Sequence, residues 1–339
     1  MLKIVGDINL TDGYFDVGFG IGSKLKTGLD PFMHIPRTSE DCWIGNFEGV
    51  ASEISSKKGN AALQFRVSPI SLRHLKNFDL YGCANNHAMQ HGDNAYKNTI
   101  ESLESFGSKT FGSNAKRTQV FLHQGRIVSI TGFSQRIDSF SDTPLYWHNP
   151  EYHEIEEEIR QIPIDAYKIV YVHWGNEFIN RPSAQQKRFA HWLIDAGFDL
   201  VIGMHPHILQ GYEEYKGKYI FYSLGNFVFD MPWEPTKYGA IVSVDLSVDN
   251  IKPSVDYVKI SEAYIPLIVE QESVPKALRF EHLNSILTKD DNSEEYHIEI
   301  NRCYRLYRKA NHKDIFLKMI THPKMISGVI KDYIIRRFK

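Results

Sequence analysis

The sequence predicts an α/β protein, built either on one mixed sheet or on two sheets packed face to face, with helices outside. Three observations point to this class. In the first two hundred residues, short apolar runs alternate with stretches of helical period. After them, apolar runs follow one another across short turns. Hydrophobic residues make up 42% of the 339 residues, enough for a sizeable core.

Each element has a local reason. Residues 2–5 are a strand's length of apolar sequence, and Gly6-Asp7 at their end reads as a tight turn. Residues 11–40 are rich in Gly, Asp, Thr and Pro and read as loop. A second strand, Cys42-Trp-Ile44, ends in Gly45-Asn-Phe-Glu48, and residues 63–67 alternate like a third. Pro69 opens a helix to about residue 76, and residues 78–83 lead as a strand into Ala84-Asn-Asn-His87. Asp93 and Gly107 bracket a helix with Ala95, Ile100, Leu103 and Phe106 on its apolar side. Residues 120–122 and 126–131 form a hairpin around His123-Gln-Gly125. Pro150 opens an acidic helix to about residue 161, and residues 167–172 are a strand with His173 at its end. Ser183 and Gly197 bracket a helix carrying Phe189, Ala190, Leu193 and Ile194. The strand over residues 198–202 runs into Gly203-Met-His-Pro-His207. Later strands fall at 218–222, 239–246 and 255–260, with a glycine-bearing loop at 223–229.

Composition narrows the function. The formal net charge is −2, so no global basic surface invites nucleic acid, and none is expected as a partner. Cys42, Cys83 and Cys303 are too few and too scattered for a disulfide framework. The N-terminus does not read as a signal peptide, and no apolar run approaches the roughly 18 residues of a membrane span, so the expectation is a cytoplasmic protein. Charge is uneven: residues 301–339 carry eleven Lys/Arg against Asp314 and Asp332, on an otherwise acidic body. Residues 314–320 and 324–337 read as helices, the second with an apolar stripe beside Lys331, Arg336 and Arg337. Such a tail either packs on the body with its charges solvated, or makes peripheral contact with an anionic membrane, or docks a polymer-synthesis enzyme.

Chemistry concentrates at the ends of the apolar runs. Five polar clusters stand there: Gly6-Asp7, Asn46-Phe-Glu48, Asn85-Asn-His87, His173-Trp-Gly-Asn-Glu177 and His205-Pro-His207. In an extended segment His205 and His207 share a side, and the C-terminal edge of an α/β sheet is where ligands bind. Any one cluster alone reads as readily as a turn or a self-capped loop; their recurrence at strand ends is the signal. Asp, Glu, Asn and His without cysteine suit Mn²⁺, Fe²⁺ or Zn²⁺. Two such ions about 3.5–4 Å apart generate a hydroxide and clamp the oxygens of an in-line displacement. His87 is placed to protonate a leaving oxygen.

The motifs also resemble the capsule-synthesis CapA family, associated with poly-γ-glutamate. The likeness runs through Gly6-Asp7, Asn46-x-Glu48, Phe65-Arg66, Ala84-Asn-Asn-His87, Phe111-Gly-Ser-Asn114 and His173-Trp-Gly-x-Glu177. It continues through Leu193-Ile-Asp-Ala-Gly197, Gly203-x-His-Pro-His207 and Tyr222-Ser-Leu-Gly-Asn-Phe-Val-Phe-Asp230. The resemblance implies the fold of calcineurin-like metallophosphoesterases: a four-layer α-β-β-α sandwich of two mixed sheets over residues 1–270, followed here by a basic helical extension, 271–339. It implies two divalent ions, with Asp7 and His207 on the first, Glu48 bridging, and Asn86, His173 and His205 on the second. Asn9 is a weak further ligand, His87 the general acid, Arg66 a catalytic group taking up developing charge as well as a substrate contact, and Glu177 and Asn226 substrate contacts. The implied activity is hydrolysis of an anionic small-molecule or polymer substrate, with capsule-synthesis enzymes as partners; the alternative is a non-catalytic accessory. Two positions depart from the family pattern: Gln90 stands where an aspartate is usual, and Asp12 where an arginine is common.

Overall fold

The computed structural model describes residues 1–11, 20–75, 78–287, 293–321 and 334. The chain opens with β1 (Leu2–Ile8), a short helix α1 (Ile21–Lys26) and β2 (Cys42–Phe47). A small pair, β3 (Val50–Ala51) and β4 (Arg66–Val67), precedes a 3-10 stretch, Pro69–Leu75, and β5 (Leu80–Gly82). Then come α2 (Asp93–Ser105), β6 (Lys109–Phe111) and the hairpin β7 (Thr118–His123) and β8 (Arg126–Ser134). Gln124 and Gly125 turn that hairpin with positive φ at both, as a two-residue type I′ turn requires. Next are α3 (Tyr152–Gln161), β9 (Tyr167–His173), α4 (Ala184–Ala196) and β10 (Leu200–Met204). β11 (Tyr212–Tyr215), β12 (Lys218–Phe221), β13 (Asn226–Val228) and β14 (Tyr238–Val244) follow. The described chain finishes with β15 (Ser254–Ile260), β16 (Pro266–Val269), α5 (Phe280–Ser285) and α6 (Ser293–Thr321).

The strands make two large mixed sheets. One runs β16-β15-β14-β1-β2-β5-β6, with β13 also pairing β1; the other runs β11-β12-β10-β9-β8-β7. In the first, β1, β2, β5 and β6 are parallel and β14 to β16 are antiparallel. In the second, β8, β9, β10 and β12 are parallel between antiparallel edges. Strand alternation sorts the core into three slabs. Leu2, Ile4 and Ile44 face Val128, Ile169, Leu200 and Ile202 between the sheets. Val5, Trp43, Leu72 and Leu103 fill the outer face of the first sheet, under α1 and α2. Val170, Val172, Phe189 and Leu193 fill the outer face of the second, under α3 and α4. The architecture is the four-layer α-β-β-α sandwich of two mixed sheets.

Caps follow the sequence signals. Ser183 and Gln186 form a reciprocal capping box on α4, and Gly197, at φ +123°, closes it. α3 starts two residues after Pro150, with Glu151 and Glu154 making the box. At α2 the cap position is Gly92; Asp93 lies inside the first turn. Residues 63–67 shorten to the two residues of β4, and the helix after Pro69 is a 3-10 stretch. β1 runs on to Ile8, so Gly6 does not turn the chain. It lets β13 approach: a Cβ there would sit 1.8 Å from Gly225 O. Val274, Leu278, Phe280 and Leu283 enter the core between the sheets.

The helix expected from residue 314 is the end of one 29-residue helix, α6, uninterrupted by Gly or Pro. Tyr307 of α6 stacks on Phe178 with ring centroids 4.0 Å apart, and Arg181 pairs with Glu299 at 3.0 Å. The second tail helix, over 324–337, lies outside the described residues except for Ile334, and so does Asp12. Among the described residues no helix is long and apolar enough to cross a membrane.

Gly203 is as tightly enclosed as Gly6, since its Cβ would lie 2.1 Å from Tyr222 O and 2.3 Å from Trp174 Nε1. Either Gly6→Ala or Gly203→Ala should therefore cost about 3 kcal/mol in urea unfolding. A cost within about 0.5 kcal/mol, the range of a bland surface change, would contradict the packing described.

Candidate metal centre

Both sheets direct the ends of their parallel strands to one edge. Asp7 lies near the end of β1, Glu48 one residue past β2, and the Asn85-Asn86-His87 loop just past β5. From the other sheet come His173, the last residue of β9, and the His205–His207 loop after β10. That loop is not extended: His205 and His207 both take positive φ, 96° and 58°. Such backbone costs about 1–3 kcal/mol per residue and recurs at functional sites. It still brings the imidazoles together, with ring centroids 5.8 Å apart.

The side chains interlock. Asp7 Oδ1 accepts from Asn46 Nδ2 at 2.7 Å, and Asp7 Oδ2 accepts the His205 backbone N–H at 3.2 Å. Asp7 Oδ2 also stands 3.5 Å from His207 Nδ1. Asn86 Oδ1 and His205 Nδ1 lie 2.8 and 3.1 Å from His173 Nε2. Glu48 Oε1 has three imidazole nitrogens around it, His207 Nε2 at 3.7 Å and His87 and His173 Nε2 at 3.9 Å. These separations exceed a hydrogen bond. For His173 and His207 they match ligands of a shared ion, because two atoms each about 2.1 Å from a metal lie roughly 3–4 Å apart. Asp7, Glu48 and His173 form one group with ligand atoms within 4.8 Å of one another, and Glu48, His205 and His207 form another.

The donor set fits a cation on a second count. Both Glu48 oxygens and His205 Nε2 are buried without a hydrogen-bond partner. Buried polar atoms are seldom left so, and an unpaired buried carboxylate costs several kcal/mol. Burial pushes the Glu48 carboxyl well above its usual range, with Asp7 and Glu177 adding like-charge repulsion. Burial likewise pushes Asp7 up to about 7, against the pull of its Asn46 and His205 hydrogen bonds. It drives His173 and His205 well below the imidazole range, and His207 down to about 3. Neutral imidazoles are the ligating form.

The other expected site residues are placed as follows. His87 points its Nε2 toward Glu48, and its Nδ1 donates to Gln90 Oε1 at 2.7 Å. Gln90 Nε2 reaches Gln64 O at 3.4 Å, which sets the amide's orientation. Gln90 thus orients the His87 ring through an uncharged side chain. Phe65 stacks on the His87 ring at 3.7 Å, and burial lowers His87 to about 4. Asn9 is turned away from the ligand set: its Nδ2 donates to Glu48 O at 2.7 Å and its Oδ1 accepts from Thr11. Arg66 braces the loop, donating to Ala62 O at 2.6 Å and Ser52 O at 2.7 Å. Asn226 Oδ1 stands 3.0 Å from His207 Nδ1 and its Nδ2 3.0 Å from Thr236 O, so it positions His207. Glu177 is buried enough for its carboxyl to be raised, with Arg136 pulling the other way.

Asn46 and Asn85, named from the sequence only as members of polar clusters, take positioning roles, and Arg136 was not singled out. Asn46 links Asp7 to His173, lying 3.4 Å from His173 Nδ1. Asn85 ties the His87 loop to Phe47 O at 2.9 Å. Arg136, just past β8, donates to Gly175 O at 2.5 Å. Asparagine at a strand end carries the same signature as a cap.

Glu48→Gln separates a metal ligand from a packing residue. Without metal the variant should be about as stable as wild type, because burial already drives Glu48 toward its neutral form and the amide keeps its shape. Saturating Mn²⁺ or Zn²⁺ should raise the wild-type Tm by roughly 5 °C and the variant's by little. An equal shift in both proteins would exclude Glu48 as a ligand.

Comparison with known proteins identifies a family. Residues 2–231 match the model of the bacterial capsule synthesis protein family PGA_cap. The chain is 32% identical over 270 residues to the PGA biosynthesis protein CapA of Bacillus subtilis strain 168, covering 75% of this chain and 69% of that one. It is 31% identical over 305 residues to the capsule biosynthesis protein CapA of Bacillus anthracis, covering 83% and 71%. Similar solved structures include a Mycoplasma pneumoniae phosphatase (12% identity, TM-score 0.46, 76% of this chain and 92% of that one). Another is a Candida albicans 5'-nucleotidase (14% identity, TM-score 0.44, 91% and 58%). With its matched segment spanning every strand end that contributes to this acid–histidine cluster, the chain belongs to the bacterial capsule synthesis PGA_cap family.

Proposed function

We propose that this protein is a metal-dependent hydrolase, phosphoesterase-like in its centre, that cleaves a phosphoester or a related anionic ester or amide bond during synthesis of a cell-surface polymer. The observation that carries the reading is Glu48: a fully buried carboxylate whose two oxygens have no hydrogen-bond partner, set among Asp7, Asn86, His173, His205 and His207. The centre would hold two divalent ions, Mn, Fe or Zn. Asp7 and His207 serve one, Asn86, His173 and His205 the other, and Glu48 both. When bound, such ions supply an activated water and Lewis-acid neutralisation of developing charge. The relatives' names, PGA biosynthesis and capsule biosynthesis, support placing the substrate among anionic surface polymers or their precursors.

The chain's own groups then divide the work. Asn46 and the His205 backbone N–H hold both Asp7 oxygens, fixing the carboxylate before any substrate arrives. Asn226 fixes the His207 ring in the same way. His87 keeps its proton on Nδ1, through Gln90, and presents Nε2 to the reacting group. Nε2 must take up a proton before it can donate one to a leaving oxygen. The stacked Phe65 ring excludes water from one face of that imidazole. Glu177 remains a candidate substrate contact, and Arg66 becomes one by giving up a backbone carbonyl.

One feature favours an added accessory role. The end of α6 exposes Phe316, Leu317 and Ile320, apolar side chains suited to a polymer-synthesis partner.

His87→Ala decides whether the centre turns over by this route. The variant should keep its metal and lose about 10²–10⁴-fold in kcat on an aryl phosphodiester. Gln90→Leu should fall between it and wild type. A His87→Ala protein as active as wild type would remove His87 from the proton-transfer role.

A further inference from the structure

A polar cavity of about 420 Å³ lies beside the metal centre, walled by the segments that follow β8 and β9 and by the start of α4. Arg136, Asn149, Glu151, Asn176 and Gln186 line it, and no residue of the ligand set does. It nonetheless adjoins that set. The backbone N–H of Gln135 donates to His173 O at 2.9 Å, and Gly175, two residues past His173, accepts from Arg136.

Gln186 is the unusual residue. Its side chain is 6% exposed, and its Oε1 accepts the Ser183 N–H of the α4 capping box at 3.0 Å. That bond assigns oxygen and nitrogen, so Nε2 is a donor, and it is buried without a partner. A buried amide donor left unpaired costs about 1–3 kcal/mol unless something accepts from it. Gly175 makes room for it: at φ +80°, a Cβ there would lie 2.4 Å from Gln186 Nε2. On the other side of Gly175's peptide, the Arg136 guanidinium makes one hydrogen bond among the described residues, to Gly175 O, out of five N–H donors. The N-terminus of the 13-residue α4 adds the positive end of its dipole through Ser183 and Gln185.

We propose that this cavity is a carboxylate-binding subsite, with Gln186 Nε2 and the Arg136 fork as donors, for a substrate whose reacting bond lies at the metal centre. Its role as a substrate subsite rests on the hydrolase reading; the binding does not. The lining selects the anion. Arg136 already feels the charge of the buried Glu177, and Glu151 also lines the cavity, so the cavity suits a flat monoanion with two acceptor oxygens better than a phosphate dianion.

Equilibrium binding to full-length protein stripped of metal with a chelator is the test, since it needs no turnover. Monomethyl glutarate and inorganic phosphate are titrated separately by calorimetry. The monocarboxylate should bind saturably, and phosphate at least about tenfold more weakly. Arg136→Gln and Gln186→Glu should each weaken carboxylate binding at least about tenfold. Gln186→Glu keeps the capping box, because Ser-x-x-Glu caps as well as Ser-x-x-Gln, and it places a second carboxylate in the cavity. A Tm match to wild type confirms its fold. Absent saturable binding, equal affinity in the variants, or preference for phosphate would each overturn the assignment. A protein that binds the carboxylate yet never hydrolyses anything would count against the hydrolase reading alone.

Discussion

Burying two carboxylates with no lysine or arginine beside them is the constraint on which this structure turns. Asp7 and Glu48 are both fully buried, and the basic side chains within 4 Å among the described residues are histidines. Those histidines are held neutral by the same burial, so they cannot neutralise the acids. In the low-dielectric interior that arrangement is costly. Divalent cations would resolve it on both sides at once, by pairing the carboxylates and by taking the imidazole lone pairs.

The fold exists to make that concentration of polar groups possible. Two sheets bring the ends of five parallel strands to one edge, so each sheet contributes ligands that neither could assemble alone. Close backbone contact at Gly6 and Gly203 lets β13 and the Tyr222 strand end seal the edge beneath the site. The strained His205-Pro206-His207 loop is held from several sides: its first N–H by Asp7, its Pro206 carbonyl by the Phe178 N–H, its last ring by Asn226. Strain is tolerated where surrounding structure over-determines it. α6 reaches the same region by stacking Tyr307 on Phe178, itself 6.3 Å from the His207 ring.

Much of this was legible in the sequence because strand ends have a sharp signature. Apolar runs that stop at Asp7, Glu48, His173 and His205 mark both the sheet edge and the chemistry. What was hidden was hidden for physical reasons. The histidine loop reads as extended because Pro206 favours extended backbone in the residue before it, yet tertiary contacts hold His205 at φ 96°. Arg136 escaped notice because β8 runs three residues beyond Thr131, where apolar character fades, and so its place at the sheet edge was not apparent. The family resemblance implies a substrate contact for Asn226, but only the fold shows its amide committed to His207. Gln90, a departure from the family's aspartate, turns out to supply the hydrogen bond and to withhold the charge.

The central claim is that the buried acid–histidine cluster is a two-ion site. Its most direct test is elemental analysis of protein purified without chelator and then loaded with Mn²⁺ or Zn²⁺, compared with His205→Ala. The account predicts about two ions per chain in the wild type, as in other two-metal hydrolytic sites, and a reduced content in the variant. A wild-type protein that takes up no metal under any loading condition would contradict it, and the unpaired Glu48 carboxylate would then need another explanation.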